Sequence, residues 1–394
     1  MRAGAEGVAA AFGITVSQIV ARPYTGAMSK ILVTGGAGFI GRHLVSALLQ
    51  RRETVLNLDL LTYAGHPATI ADFANHPQHH FVQGDIGDVD LVRKLLAEHQ
   101  PRAILNLAAE SHVDRSIDDG GPFVTTNVSG TFRLLEVARD YWQQLAEPAR
   151  AAFRFIQVST DEVYGPQAPG KRAQPNSPYA PSSYYSATKG AADHLVRAAS
   201  RTYGLPTIVS HGTNTYGPYQ YPEKLVPRMI LNCLAGRALP LYGDGLQERD
   251  WIHVDDHVAG LLRVLEVGQP GETYHLGTGV ERTNLEVVKK IGACVDDLRS
   301  AVVRDGAIVF PTDLSHEATW RLITHVADRP GHDRRYALDV GATERALSWK
   351  ARADLDSELF SLVGWYAASS EWCQAVTQGR YDGGRLGLPR APAR

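Results

Sequence analysis

The segment "KILVTGGAGFIGRHLVSALLQRR" (Lys30 to Arg52) admits few folds. Ile31, Leu32 and Val33 form the short unbroken apolar run of a strand buried on both faces. Leu44, Val45, Leu48 and Leu49 recur at helical spacing. Between them stand Gly35, Gly38 and Gly41, three residues apart. Without a Cβ, such a turn lets backbone amides approach a pyrophosphate, whose charge then meets the N-terminus of the helix. A glycine pattern alone is weak; between a strand and a helix it reads as a dinucleotide-binding turn.

The following strand, "TVLNLD", ends in Asp59. An acid there accepts hydrogen bonds from an adenosine ribose 2′-OH and repels a 2′-phosphate, which selects NAD over NADP. Strand and helix then alternate: "HFVQGDI", "DLVRKLLAEH", "RAILNLAA", "TFRLLEVARDYWQQL" and "FRFIQVST". Repeated βα units predict a doubly wound parallel α/β sheet of the Rossmann type, with ligands beyond the carboxyl ends of its strands. The last strand runs straight into Thr160, Asp161 and Glu162. Asp and Glu at a strand end are commonly a surface turn. On the ligand side of such a sheet, two adjacent carboxylates in a dry cleft instead repel, so that one stays protonated while the other ionises. "SSYYSATKGAADHLVRAASRTYG" reads as a helix capped by Ser182 or Ser183, with Tyr185 and Lys189 four apart on one face. A tyrosine becomes a base only where a cation favours its phenolate, and Lys189 and a nicotinamide would both serve. Tyr184, five residues before Lys189, fits less well.

Composition removes other classes. The net charge of -2 leaves no field to hold nucleic acid, and no apolar run reaches the ~20 residues that span a bilayer. The three cysteines, far apart and without a CxxC, predict neither a disulfide framework nor a thiolate metal site, and fit a reducing cytoplasm. "NHPQHH" (Asn75 to His80) lies in a polar loop without a carboxylate at ligand spacing, and in "HVDDH" either Asp255 or Asp256 reads as a helix cap, so no metal is expected. Residues 1–27 read as a dispensable extension before Met28, since Glu6 and the Ser17-Gln18 interruption do not suit a signal peptide.

With "GGAGFIG" and the Tyr185 to Lys189 segment, the stretches "DLLTYAG", "AAESHVDRSI", "STDEVYG", "TYGPYQYPEKLVP", "YGDGLQERDWIHVDDH" and "DRPGHDRRYALD" make the chain resemble the extended short-chain dehydrogenase/reductase superfamily, and within it the dTDP-glucose 4,6-dehydratases. The resemblance covers about residues 30–350. It implies an NAD site formed by Gly35, Gly38, Phe39, Ile40, Gly41, Asp59, Leu60, Thr62, Asp85, Ile86, Leu107, Ala109, Thr126, Tyr185, Lys189 and Thr215. It implies a sugar-nucleotide site formed by Ser111, Thr160, Asn214, Lys224, Leu225, Tyr242, Arg249, Asn284, Asp328 and His332, with the stretch Asp328 to His332 closing over the nucleotide. A guanidinium such as that of Arg249 offers diphosphate a fork of donors. The catalytic set is Thr160, Asp161, Glu162, Tyr185 and Lys189. The expected organisation is an NAD-binding domain over 28–210 with later segments interleaved, a sugar-nucleotide lobe over 211–375 and a tail over 376–394. A homodimer, paired through the helix that carries "RDYWQQLAEPAR", is also expected.

The chain departs from the family pattern where Thr215 replaces the second of two asparagines before "YGPYQ", in a short loop between Glu162 and Tyr185, in a longer connection over Ser300 to Trp320, and in residues 1–27. The longer connection is expected to be a surface excursion away from the catalytic cleft. Other readings are a dehydratase of another nucleotide sugar, a UDP-sugar 4-epimerase, or a non-catalytic NAD-binding regulator. An epimerase has no use for an acid–base pair, and a regulator has none for Tyr185, Lys189 and the acids together.

Overall fold

The computed structural model describes residues 30–305, 319–378 and 381. Residues 1–27 and most of the connection after Ser300 therefore lie outside the described residues. Chain order through the first half is β1 (Lys30–Thr34), α1 (Phe39–Gln50), β2 (Thr54–Asp59), β3 (His79–Gln83), α2 (Val89–His99), β4 (Ala103–Asn106), α3 (Val113–Asp118), α4 (Thr131–Gln144), β5 (Arg154–Thr160), α5 (Tyr184–Tyr203) and β6 (Thr207–Gly212). The second half runs β7 (Asn214–Tyr216), α6 (Leu225–Leu234), β8 (Leu239–Tyr242), β9 (Glu248–His253), α7 (Val254–Val267), β10 (Thr273–Leu276), β11 (Glu281–Thr283), α8 (Asn284–Asp305), β12 (Ile323–Val326), α9 (Leu355–Ala368) and α10 (Ser370–Thr377).

Seven strands make one parallel sheet in the order β10-β6-β5-β4-β1-β2-β3. The apolar runs explain this: β1, β2 and β4 are buried almost throughout, as strands covered by helices on both faces must be. One face packs α1 and α7 around Leu44, Leu48, Leu261 and Val264. The opposite face packs α2, α4 and α5 around Leu96, Leu134 and Val196. The chain steps outward from β1 in both directions, so the carboxyl ends of β1 and β4 flank the switch point where a crevice opens.

The later segments build a second apolar cluster from α6, α8 and α9, centred on Ile230, Ile291, Leu359 and Tyr366. A three-stranded sheet, β11-β9-β7, and the pair β12-β8 sit beside it. β10 and α7, although late in sequence, belong to the large sheet and its covering layer.

Two expectations need adjustment. Neither Asp255 nor Asp256 caps α7. The N-cap is His253, whose Nδ1 accepts from the Asp255 amide, and the two acids occupy the first turn. There they complement the helix dipole, and Asp256 Oδ2 also accepts from the Arg352 and Ala353 amides. β3 stops at Gln83 and β4 at Asn106, short of the apolar runs, because the chain turns there to line the crevice. Helix α8 continues to Asp305, so the connection after Ser300 begins as helix, and at its far end the buried Thr319 hydroxyl donates to the Gly292 carbonyl and to Asp296.

Candidate active site

The glycine turn is forced by contact. Gly35 has φ +72°, and a Cβ on it would lie 2.8 Å from the Ala108 nitrogen; one on Gly41 would lie 2.1 Å from the Gly35 carbonyl oxygen. Gly38 caps α1 without any side-chain hydrogen bond, so the first-turn amides of the helix keep no side-chain acceptor there. Asp59 closes the turn from the next strand, its two oxygens accepting from the Ala37 amide at 2.9 Å and the Leu61 amide at 2.8 Å. Burial pushes Asp59 above the usual carboxylate range, against those two hydrogen bonds. The acid expected to read a ribose thus also holds the turn together.

A cavity of about 320 Å³ extends from this turn across the switch point to the end of β5. Every residue of the expected cofactor set lines it: Gly35, Gly38, Phe39, Ile40, Gly41, Asp59, Leu60, Thr62, Asp85, Ile86, Leu107, Ala109, Thr126, Tyr185, Lys189 and Thr215. An unblocked helix N-terminus, glycines with no room for a side chain, an acid at the end of β2 and apolar walls make a cleft that fits a dinucleotide.

At the far end of the cavity are Thr160, Asp161, Glu162, Tyr185 and Lys189. Ser183 caps α5 in a reciprocal capping box with Ser186, which starts the helix one residue before Tyr185. Lys189 is 4% exposed and donates to the Val158 carbonyl at 2.7 Å. Burial lowers it to about 8, with the Asp193 carboxylate one turn further on opposing that shift. The Tyr185 phenol is pushed up by burial and by Glu162, while a hydrogen bond with Thr160 pulls the other way. The Thr160 hydroxyl donates to Asp161 Oδ1 at 3.2 Å, and the Glu162 amide donates to Thr160 Oγ1 at 3.3 Å. Asp161 is 3% exposed, and its Oδ2 has no partner among the described residues. Burial, reinforced by Glu162, raises Asp161 to about 8. Burial also raises Glu162, but Arg329, Arg249 and Lys224 draw it back. The neighbouring acids thus differ in environment: one holds its proton near neutrality, and the other faces three cations.

The expected substrate residues divide. Ser111, Thr160, Asn214 and Lys224 line the cavity, and Lys224 Nζ donates to the Ser111 carbonyl at 3.0 Å. Leu225, Tyr242, Arg249, Asn284, Asp328 and His332 stand outside its wall, on the second half of the chain. Arg249 is buried, and its guanidinium interacts electrostatically with both acids. It lies 4.2 Å from the Tyr336 ring centre, and its NH2 donates to the Asp333 carbonyl at 2.9 Å. His332 Nδ1 is 2.6 Å from Asp328 Oδ1, and Gln247 also donates to Asp328. Tyr242 donates to Asp114 at 2.8 Å, and Arg329 pairs with the other oxygen of Asp114 at 2.9 Å, tying the second half to α3.

Several contributors carried no separate signal in the sequence. Thr126 sits in a π-helical turn, Val124–Gly130, whose Asn127 accepts from the Glu110 amide and donates to Thr188 beside Lys189. Asp193 takes the Ser159 hydroxyl at 2.8 Å and the Tyr179 hydroxyl at 3.1 Å, with His211 3.0 Å away. Helical spacing from Lys189 could have flagged Asp193; nothing local could have flagged Asn127 or His211. Thr215 meets His257 Nδ1 at 2.8 Å, so the hydroxyl that replaces the family asparagine is held by a ring from α7.

The family model described as GDP-mannose 4,6 dehydratase matches residues 32–360. A dTDP-glucose 4,6-dehydratase of Xanthomonas campestris pv. campestris is 49% identical, over 91% of this chain and 99% of its own length. The chain belongs to the dTDP-glucose 4,6-dehydratase family. Among solved members, that of Streptomyces venezuelae, with NAD bound, superposes with TM-score 0.75 at 40% identity, covering 88% of this chain and 100% of its own. The Bacillus anthracis member, in complex with NAD, gives TM-score 0.74 at 38% identity, covering 89% and 100%.

Proposed function

We propose that this chain is an NAD-dependent dTDP-glucose 4,6-dehydratase, a hydro-lyase that converts dTDP-glucose to dTDP-4-keto-6-deoxy-glucose and water. The observation that carries this reading is the pair of acids at the end of β5, one held near pKa 8 in burial and its neighbour facing cations, beside Tyr185 and Lys189. The chemistry NAD supplies when bound is acceptance of a hydride from sugar C4 and its return at C6. Tyr185, as phenolate beside the Lys189 ammonium, takes the O4 proton. Thr160 hydrogen-bonds near O4 and polarises the new ketone, which acidifies the C5 hydrogen. Glu162 removes that hydrogen. Asp161 gives its proton to the C6 oxygen, because hydroxide leaves poorly; acid or base help of this kind contributes typically ~10²–10⁴-fold. An epimerase needs neither of the last two steps.

The division into an NAD-binding domain over 28–210, a sugar-nucleotide lobe over 211–375 and a tail belongs to this proposal. The cluster built by α6, α8 and α9 supports a separate lobe, while α7 and β10 are the later segments interleaved with the NAD-binding domain. Ser111, Asn214 and Lys224 inside the cavity, with Leu225, Tyr242, Arg249, Asn284, Asp328 and His332 around it, hold the nucleotide sugar. A cytoplasmic homodimer is the proposed state. Free, buried Cys233, Cys294 and Cys373 suit a reducing compartment, and exposed Val124 and Phe132 on and beside α4 suit a buried contact between copies.

The test is a panel of nucleotide-glucoses, with formation of a 4-keto product read by its absorbance in alkali, and dTDP-glucose deuterated at C4. The reading expects the deuterium at C6 of the same molecule and solvent hydrogen at C5. Crossover between labelled and unlabelled molecules, or a need for stoichiometric added NAD⁺, would sink it.

A further inference from the structure

We infer that Trp372, a residue outside the cavity, retains the dinucleotide between turnovers by clamping the chain segment that walls its site. The inference rests on the dehydratase reading. A dehydratase returns the hydride to the sugar that gave it, so nothing in the cycle requires the dinucleotide to leave. A dehydrogenase that consumed NAD⁺ would have to open its site at every turnover. Slow release therefore serves the first enzyme and hinders the second.

The wall in question follows β2. Leu60, Thr62, Ala64 and Gly65 line the cavity. Gly65 lies so close to Asp59 that a Cβ on it would stand 2.7 Å from Oδ1. The His66 amide then donates to the Ala37 carbonyl of the glycine turn at 3.4 Å, a length at which a hydrogen bond holds little on its own. Next comes a short 3₁₀ helix, Pro67–Phe73. Both this segment and the glycine turn line the cavity, so a dinucleotide seated there leaves only when the two part.

The clamp is at the far end of the segment. Thr69 is 3% exposed and is held from two sides. Its carbonyl accepts from Arg42 Nε of α1 at 2.7 Å, and its hydroxyl oxygen accepts from the Trp372 indole N–H of α10 at 3.3 Å. Arg42 also pairs with Asp72 of the same 3₁₀ helix. The Arg42 guanidinium lies 3.5 Å from the Tyr219 ring centre, and the Tyr219 hydroxyl donates to Asp72 at 3.3 Å. Tyr219 packs in turn against Trp365 and Trp372, with ring centres 4.7 Å and 5.3 Å away. These contacts close a ring through α1, the segment, α10 and the loop that carries Tyr219. Trp372 lies past residue 360, where the match to the family model ends.

The test loads the full-length protein with NAD, removes unbound cofactor, dilutes, and times the release of NAD with no sugar present. Trp372→Ala loses both the indole hydrogen bond and the ring packing, and is expected to release NAD about tenfold faster or more. Thr69→Val keeps the volume and removes only the hydroxyl that receives the indole N–H, for which roughly threefold is expected. Thr69→Ser keeps that hydroxyl and should release NAD at the wild-type rate. With NAD saturating, kcat on dTDP-glucose should stay close to wild type in all three, because neither residue lines the cavity. Release at the wild-type rate from Trp372→Ala and Thr69→Val overturns the inference. Where Trp372→Ala does not fold, an unchanged rate in Thr69→Val does so alone. A kcat that collapses in Thr69→Val even with NAD saturating also overturns it, since the contact then shapes the whole site. Release is timed without sugar, so these outcomes stand apart from the dehydratase reading. A stoichiometric demand for NAD⁺ in wild-type turnover removes that reading, and this inference with it.

Discussion

Asp161 is a carboxyl group that the fold keeps away from water, and this has a measurable cost. Its folded-state pKa near 8 lies above the ordinary carboxylate value, so between those two pH values the folded chain holds a proton that the unfolded chain has released. Stability conferred by the buried acid is therefore present at low pH and is lost as pH rises through that window, by up to about 1.4 kcal/mol per pH unit. Asp161→Asn should melt at higher temperature than wild type at pH 8, with the difference shrinking toward pH 5 in calorimetry of the substrate-free protein. In turnover the same variant should accumulate NADH absorbance and stop, since the C6 oxygen has lost its proton donor. Asp59 makes a second case, because it holds the turn and, in the proposed reading, also meets the ribose. Asp59→Ala should narrow the preference for NAD over NADP in a binding titration, and it should also weaken NAD binding by loosening the Ala37 and Leu61 amides. Residue types with one outstanding chemical use were legible in the sequence: the paired acids, Tyr185 with Lys189, and the glycines. Asn127, Asp193 and His211 were not, since each acts only through partners far away in the chain.

At the scale of elements, the strand–turn–helix unit was legible because its three requirements are local: a buried apolar run, backbone freedom at Gly35 and no side chain at Gly41. Gly41→Ala should lower NAD affinity at least tenfold in a titration, because a Cβ 2.1 Å from the Gly35 carbonyl forces the turn to open. Element ends were less legible. The apolar residues after Asn106 continue a strand pattern, yet Leu107, Ala108 and Ala109 turn away to wall the cavity. The cap of α7 was misread because Asp usually takes that position and His rarely does. Here His253 precedes two acids, its ring nitrogen accepts the first free amide, and both acids move into the helix.

The whole molecule depends on its halves meeting across the cavity. Arg329 and Tyr242 reach over to Asp114, Trp372 reaches Thr69, and the Arg42 guanidinium lies 3.5 Å from the Tyr219 ring centre. Arg329→Ala leaves Asp114 with one partner fewer in a buried position, where removing one member of an ion pair costs about 3–5 kcal/mol. Urea melts should show that loss, and KM for dTDP-glucose should rise because the same guanidinium faces Glu162. None of these cross-contacts could be read along the chain, for they join residues far apart in sequence. Distance along the chain also matters for β10. It extends the large sheet by pairing with β6, although β7, α6, β8, β9 and α7 are made in between. On the ribosome the edge of β6 therefore stays open while more than sixty residues are added. An open strand edge is a template for pairing with another chain. Until β10 emerges, the strand edge open to such pairing is that of β6, which the finished sheet covers.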